Sequence, residues 1–161
     1  MKTVTEILKE YGYIDETKYT NPEQTEMGTI IHQEISESLV SLIPISDQSK
    51  IVFDFLEKLN LKPIYIEKRF SGELYCGKPD LIARNEKNIY LIDWKTGSKQ
   101  DWHGLQLWAY YYLVLETTKM KANKLLTVYL KNKYSVCNWE QDFNSKAIWE
   151  KVMKALMKER E

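Results

Sequence analysis

Residues 88–95, NIYLIDWK, constrain this chain more than any other stretch. Apolar residues occupy both alternating faces of the run, which is typical of a strand buried inside a sheet. The run nevertheless ends in Asp93 and Lys95, whose side chains project from the same face because side chains alternate along a strand. A carboxylate and an ammonium are costly to bury without partners. A divalent metal ion and a phosphate would supply them, so this stretch predicts a site as well as a strand.

The composition favours one domain. The chain has 161 residues, of which 43% are apolar, with 11 Tyr and 5 Trp, enough for a packed core. Basic and acidic residues number 23 each, so the formal net charge is zero. This argues against a broadly basic nucleic-acid coat protein but allows a locally basic groove. We expect a single domain over residues 1–161, with a helical part at 1–60 and a sheet core with flanking helices at 61–161.

The sequence also bears on compartment and cysteine chemistry. No apolar run approaches the length of a membrane span, and the N-terminus lacks the layout of a signal peptide, so we expect a cytoplasmic protein with no membrane partner. Cys76 and Cys137 lack CxxC spacing, which argues against a zinc or iron–sulfur site built on cysteines. Both are expected to be inert thiols.

The spacing of apolar residues along the chain indicates helices in some segments and strands in others. Helices are predicted at residues 4–11, 22–42, 49–59, 102–117 and 144–158, and strands at 64–70, 74–84, 88–96, 124–131 and 134–139. Thr3 with Glu6 predicts a capping box. The other N-caps are predicted at Asn21, Asp47, Asp101 and Asn144. This order predicts an α/β sandwich around a mixed central sheet.

The pattern Asp93-x-Lys95 alone occurs easily by chance, and it becomes informative because another acid, Asp80, precedes it. The 12 residues between Asp80 and Asp93 suffice for a hairpin on neighbouring antiparallel strands, which can bring the two carboxylates together. They would repel each other unless a cation lay between them. Hard oxygen ligands favour Mg²⁺ or Mn²⁺, and Lys95 would then hold the attacking water or stabilise charge on a phosphate. Alternatively, Asp80 starts a turn, and Asp93 and Lys95 form an ordinary ion pair.

Five short segments together resemble a known family. They are VTEIL at 4–8, GTIIH at 28–32, GKPD at 77–80, DWKTG at 93–97, and Gln106 with Tyr110. They resemble the PD-(D/E)xK nuclease superfamily, in particular its RecB-like branch. That branch includes nuclease domains of recombination helicases, the mitochondrial genome maintenance exonuclease, CRISPR-associated adaptation nucleases and many small phage proteins. The resemblance covers roughly residues 3–115 and implies a restriction-endonuclease-like core with an N-terminal helical segment.

The resemblance implies roles for individual residues. His32, Asp80 and Asp93 would ligate Mg²⁺ or Mn²⁺ through their side chains, and Trp94 would do so through its backbone carbonyl. Lys95 would be the catalytic lysine. The four cysteines that clamp an iron–sulfur cluster in some relatives are absent, so no such cluster is expected. From the residues alone, a histidine on an apolar helix such as His32 is more often structural than a ligand.

Further positions are candidates for acid chemistry or DNA contact. Glu67 falls where many relatives carry an acid, although its basic neighbours equally fit an ordinary charged strand end. Gln106 and Tyr110 would face the site and hold the DNA backbone. Trp102 and His103 could stack on bases of a single strand or a frayed end, or Trp102 could simply anchor the helix. The lysines between residues 119 and 133 could line a DNA track or be a solvated surface.

The function expected from these features is divalent-metal-dependent hydrolysis of DNA. We expect an exonuclease acting on a single strand or a duplex end, in recombination, repair or replication of a phage or mobile element. Two alternatives stay open: a structure-specific or nicking endonuclease, and a silent module that binds DNA or a partner on a nuclease fold. A homo-oligomer or a recombination partner protein is compatible with the sequence.

Overall fold

The computed structural model describes residues 1–18 and 22–161. Within them lie a short 3-10 turn, Glu16–Lys18, and five α-helices. The helices are α1 (Val4–Glu10), α2 (Pro22–Ser41), α3 (Asp47–Lys58), α4 (Trp102–Thr118) and α5 (Phe143–Glu159). No helix within the described ranges is both long and apolar enough to cross a membrane.

The strands form one mixed sheet and a small hairpin. They are β1 (Lys62–Ile66), β2 (Phe70–Ser71), β3 (Cys76–Gly77), β4 (Leu81–Arg84), β5 (Ile89–Lys95), β6 (Lys124–Leu130) and β7 (Tyr134–Asn138). The main sheet has the order β1-β4-β5-β6-β7, and β2 pairs with β3 separately. Only the β5–β6 pair of the main sheet is parallel, because α4 crosses over between these two strands. The predicted α/β fold with a mixed sheet, flanking helices and N-terminal helices is confirmed.

Two apolar clusters lie on opposite faces of the main sheet. One contains residues of α1, α4 and α5 together with Leu91 of β5. The other contains residues of α2 and α3 together with Ile92 and Trp94 of β5. Alternation along β5 therefore places Asp93 on the same face as Leu91, toward α4. This decides which helix can contribute side chains to the site.

The N-cap residues agree with the prediction at α1 and α4 and differ at α3 and α5. The Thr3–Glu6 capping box is present. At α3 the N-cap is Ser46 rather than Asp47, and at α5 it is Asp142 rather than Asn144. In both, a Ser three residues on donates its backbone N–H to the cap side chain, at 3.1 Å. Asp101 makes no side-chain cap bond at α4, and the cap predicted at Asn21 lies outside the described residues.

Two predicted strands are shorter than expected. The first ends at Ile66 because Glu67 has a left-handed φ of 46°, which no extended strand accommodates. The second, predicted over 74–84, is divided into β3 and β4 at Lys78-Pro79-Asp80. Pro79 has no N–H for a sheet ladder, so pairing stops there. Both interruptions lie beside the acidic residues of the site.

Candidate active site

Three acidic residues lie side by side across neighbouring strands. β1 pairs with β4 through Ile66 and Leu81, so Glu67 and Asp80 are the next pair, and the Glu67 N–H donates to the Asp80 carbonyl at 3.0 Å. The antiparallel register of β4 and β5 then places Asp80 beside Asp93. The strands thus gather three carboxylates from distant parts of the sequence at one end of the sheet.

His32 reaches this acidic row from α2. Its Nδ1 lies 3.3 Å from the Asp80 Oδ1. One ligand atom each of His32, Glu67 and Asp80 can be chosen so that all lie within 4.8 Å of one another. Burial alone would lower the pKa of His32, but the hydrogen bond to Asp80 and the negative charges of Asp80 and Asp93 raise it above its usual value.

The pKa values of the two buried aspartates are shifted in opposite directions. Burial works to raise the pKa of Asp80, but the hydrogen bond and charge of His32, a hydrogen bond with Asp93 and the charge of Lys95 together lower it. The Asp80 Oδ2 also accepts the Trp94 N–H at 2.8 Å. Asp93 is 4% exposed, and burial, reinforced by the charge of Asp80, raises its pKa to about 7 despite the opposing charge of Lys95.

One oxygen of Asp93 has only an ion-pair partner. Asp93 Oδ2 lies 2.7 Å from the Lys95 Nζ, but this contact lacks hydrogen-bond geometry. That oxygen accepts no hydrogen bond from any residue that the structure describes. The ion pair with Lys95 offsets part of the cost of burying this oxygen, and a divalent cation shared with Asp80 would offset more. The carboxylates and the imidazole together match the donors that Mg²⁺ or Mn²⁺ takes.

The ligand atoms that cluster differ from the predicted set. Glu67 belongs to the cluster with His32 and Asp80, whereas Asp93 does not and contacts Lys95 instead. The Trp94 ring is 2% exposed and packs edge-on against Phe55 in the core of the α3 face. Only the Trp94 backbone can therefore face the site, and ligation by its carbonyl stays a prediction.

Gln106 and Tyr110 of α4 hold Lys95. The Lys95 Nζ donates to the Gln106 Oε1 at 2.9 Å, and the Gln106 Nε2 donates to the Tyr110 hydroxyl at 3.3 Å. Each is 5% exposed, because this part of α4 packs flat on the sheet. The expectation that they hold the DNA backbone does not fit this burial. Trp102 lies nearer the surface, with the Lys95 Nζ 4.9 Å from its ring centroid.

His103 does not have the accessible ring that base stacking requires. It is 3% exposed, and its Nδ1 accepts the Gln100 N–H at 3.3 Å. Nδ1 therefore carries no proton, so the Tyr129 hydroxyl donates to it at 2.8 Å. Burial, with the charge of Lys95, lowers the pKa of His103 to about 3. The stacking role of His103 stays a prediction, although a neutral ring that is almost wholly buried offers little surface to a base.

Tyr129 lies near the site although no sequence pattern indicates it. It pairs with Lys95 in the parallel β5–β6 register, which no local pattern reveals. An open groove of about 510 Å³ gives access to the site, lined by Gln24, Thr25, Gly28, Lys95, Thr96, Gly97, Ser98, Gln100, Trp102 and His103. Gly28 has no side chain to narrow this groove.

Comparison with known proteins gives one family. A family model described as the PD-(D/E)XK nuclease superfamily matches residues 50–159. No curated protein matches the chain. Among solved structures, "Crystal structure of SSO0001" is similar with a TM-score of 0.45 and 15% identity, covering 94% of this chain and 70% of that one. The family match includes Glu67, Asp80, Asp93 and Lys95 and leaves His32 outside.

Proposed function

The chain belongs to the PD-(D/E)XK nuclease superfamily, and from this premise we propose that it is a divalent-metal-dependent DNA nuclease of the RecB-like branch. One observation carries the proposal. Asp80 and Asp93 lie side by side, with His32 on one flank and Lys95 on the other. Buried carboxylates so placed need a cation, and a fixed amine beside them suits a phosphate substrate.

The donor set fits a hard divalent ion. We assign His32, Asp80 and Asp93 as its side-chain ligands, the Trp94 carbonyl as a further ligand, and Glu67 as an additional acid. The clustering of His32, Glu67 and Asp80 supports their part in this assignment, and the strand register that places Asp93 beside Asp80 supports the part of Asp93. Mg²⁺ or Mn²⁺ bound there supplies Lewis-acid chemistry, activating water and neutralising charge on the phosphodiester.

Lys95 supplies the fixed positive charge. Its Nζ is held between Asp93 and Gln106, with Trp102 alongside. An amine restrained on three sides loses little entropy when it donates to an attacking water or to a phosphate oxygen. Gln106 and Tyr110 act through Lys95 and are therefore positioning residues.

The proposed activity is exonucleolytic, on a single strand or a duplex end, within one domain spanning residues 1–161. The support is the resemblance to small RecB-like exonucleases. We place the protein in recombination, repair or replication of a phage or mobile element on the same ground.

Labelled linear and circular DNA, each single- and double-stranded, tests the activity. We expect degradation of linear forms in Mg²⁺ or Mn²⁺ and none in EDTA. Cutting of closed circles would replace the exonuclease with a structure-specific or nicking endonuclease. DNA binding without cleavage in any divalent metal would instead identify a silent module.

Lys95→Ala tests the centre itself. Removal of a fixed charge that stabilises the transition state typically costs roughly 10²–10³-fold in rate, so we expect cleavage to fall at least that far. Mn²⁺ affinity measured by calorimetry should be largely retained, because Lys95 is not a ligand. Lys87→Ala, an exposed lysine in the β4–β5 turn, is the matched control. Unchanged cleavage by Lys95→Ala would mean that the centre lies elsewhere.

A further inference from the structure

Two further grooves adjoin the groove that opens on Lys95, here called the site groove, at the loop between β5 and α4. Both share Gly97 with the site groove. The lysine groove, about 290 Å³, is lined by Gly97, Ser98, Lys99, Tyr129, Lys131, Ser135, Val136 and Cys137. The apolar groove, about 540 Å³, is lined by Glu23, Gln24, Met27, Gly28, Ile31, Gln48, Thr96, Gly97 and Leu130.

Charge distinguishes the two grooves. The lysine groove contains two exposed ammonium groups, Lys99 and Lys131, and neither forms an ion pair with any residue in the described part of the chain. Lys99 lies over the Trp139 ring at 5.1 Å, which orients its charge without neutralising it. The larger apolar groove contains an acid, Glu23, and no basic residue. A polyanion therefore favours the smaller groove.

Strand register places the lysine groove at the same end of the sheet as Lys95 and the acidic residues. Tyr129 lies beside Lys95 in the β5–β6 ladder, and Lys131 follows two residues later. Lys124, at the start of β6, pairs with Tyr90 at the other end of β5 and forms an ion pair with Glu140. The basic stretch noted in the sequence is therefore divided, and only its later part lies near the site.

We propose that one strand of the nucleic acid runs from the site groove over Gly97 and Ser98 into the lysine groove, with its phosphates at Lys99 and Lys131. The proposal rests on the proposed function, since it assumes a strand held at Lys95. An aromatic ring followed by a cationic groove, here Trp102 of the site groove and then the lysine groove, is a common way to bind a single strand. The proposed path requires that the nucleic acid be single-stranded where it crosses Gly97 and enters the lysine groove.

A pair of double variants tests the track. Lys99→Ala/Lys131→Ala removes two charges from the groove, and Lys87→Ala/Lys121→Ala removes two exposed charges from the opposite end of the sheet. Fluorescence anisotropy measures the affinity for a labelled single-stranded oligonucleotide. The measurements are made in a buffer that contains Ca²⁺ and are repeated at several salt concentrations. We expect the groove variant to bind roughly ten-fold more weakly and its log–log salt slope to shrink by about 1.4, at roughly 0.7 per phosphate contact. The control variant should match the wild type.

A steric variant tests the same path without changing charge. A Cβ added at Gly97 would have no atom within 4 Å, and Gly97 has no left-handed φ. Gly97→Leu therefore leaves the fold unstrained but places a side chain where the grooves meet. We expect weaker oligonucleotide binding with unchanged thermal stability.

The outcomes separate the track from the activity. If both double variants lose affinity equally, or neither does, the track is wrong even though the wild type cleaves DNA. Unchanged binding by Gly97→Leu would also overturn it. If the groove variant alone loses affinity but no metal supports cleavage by the wild type, the track stands and the proposed activity fails.

Discussion

Glu67 combines a left-handed backbone with a place in the acidic row. A non-glycine residue with φ near 46° is uncommon and costs roughly 1 kcal/mol or more unless its surroundings impose it. Here the N–H of Glu67 is fixed by the Asp80 carbonyl, and its carboxylate clusters with His32 and Asp80. The conformation that ends β1 therefore also turns Glu67 toward the acidic row.

Glu67→Gln measures whether this acid contributes to metal binding. The amide has nearly the same shape but no charge, so we expect Mn²⁺ affinity to fall roughly 10–100-fold, as for other groups that support a metal site. Calorimetry gives the affinity, and circular dichroism checks the fold. Glu86→Gln, an exposed acid in the β4–β5 turn, should bind Mn²⁺ normally. Wild-type affinity in Glu67→Gln would make Glu67 an ordinary strand-end residue.

His103 makes the fold sensitive to acid. Its pKa is about 3 in the folded chain, where burial disfavours the charged ring, and ordinarily about 6.5 in an unfolded one. Below pH 6.5 the unfolded chain binds a proton that the folded chain does not. The free energy of unfolding therefore falls as the pH drops from 6.5 toward 3, by roughly 3 kcal/mol at pH 4.

His103→Gln isolates this contribution. Denaturant titrations at pH 7 and pH 4 should show a smaller loss of stability on acidification in the variant than in the wild type. His32, the other of the two histidines, has a raised pKa and so cannot produce the same trend. An identical loss in both proteins would place the acid sensitivity in the carboxylates alone.

At the scale of elements, α4 is the helix on which the site depends. It crosses over between β5 and β6, and one of its faces carries Trp102, His103, Gln106 and Tyr110. Close packing fixes it there. A Cβ at Gly77 would come within 2.7 Å of the Tyr110 ring, and one at Gly104 within 2.6 Å of the Trp139 ring. Small residues thus set how near α4 approaches its neighbours.

Two helical glycines should respond oppositely to alanine. In a helix Ala is favoured over Gly by about 1 kcal/mol. At Gly28 of α2 the added methyl meets only the Thr96 Oγ1, at 3.4 Å, so Gly28→Ala should keep most of that gain. At Gly104 the clash with Trp139 should outweigh it, because overpacking costs roughly 1–3 kcal/mol. Thermal unfolding of the two variants is the measurement, and stabilisation by Gly104→Ala would contradict the packing described.

At the scale of the whole molecule, the site destabilises the fold that contains it. Three carboxylates meet at one end of the sheet, two of them buried, and one oxygen of Asp93 accepts no hydrogen bond from the described residues. An ion that binds only the folded state stabilises it by mass action, by about 2.7 kcal/mol at 100 times its Kd.

Metal should therefore raise the melting temperature. For a domain of this size, that free energy corresponds to a rise of roughly 5–10 °C. Scanning calorimetry with Mn²⁺ and then with EDTA measures it. Asp80→Asn should lose the metal-dependent rise, whereas Glu86→Gln should keep it. An equal rise in Asp80→Asn would mean that the stabilising ion binds elsewhere.

The order of helices and strands could be predicted from the sequence, because hydrophobic periodicity is a local property of the chain. The same local patterns made Asp80, Asp93 and Lys95 candidates, and the structure brings the three together at one end of the sheet. The break between β3 and β4 has a local signal in Pro79, which cannot donate to a sheet ladder, whereas no local pattern indicates the left-handed turn at Glu67. The burial of His103, the hydrogen bond from Lys95 to Gln106 and the place of Tyr129 beside Lys95 follow from tertiary contacts alone. The physical reason is that strand register and helix packing join residues far apart in the chain, and no local pattern encodes which of them meet.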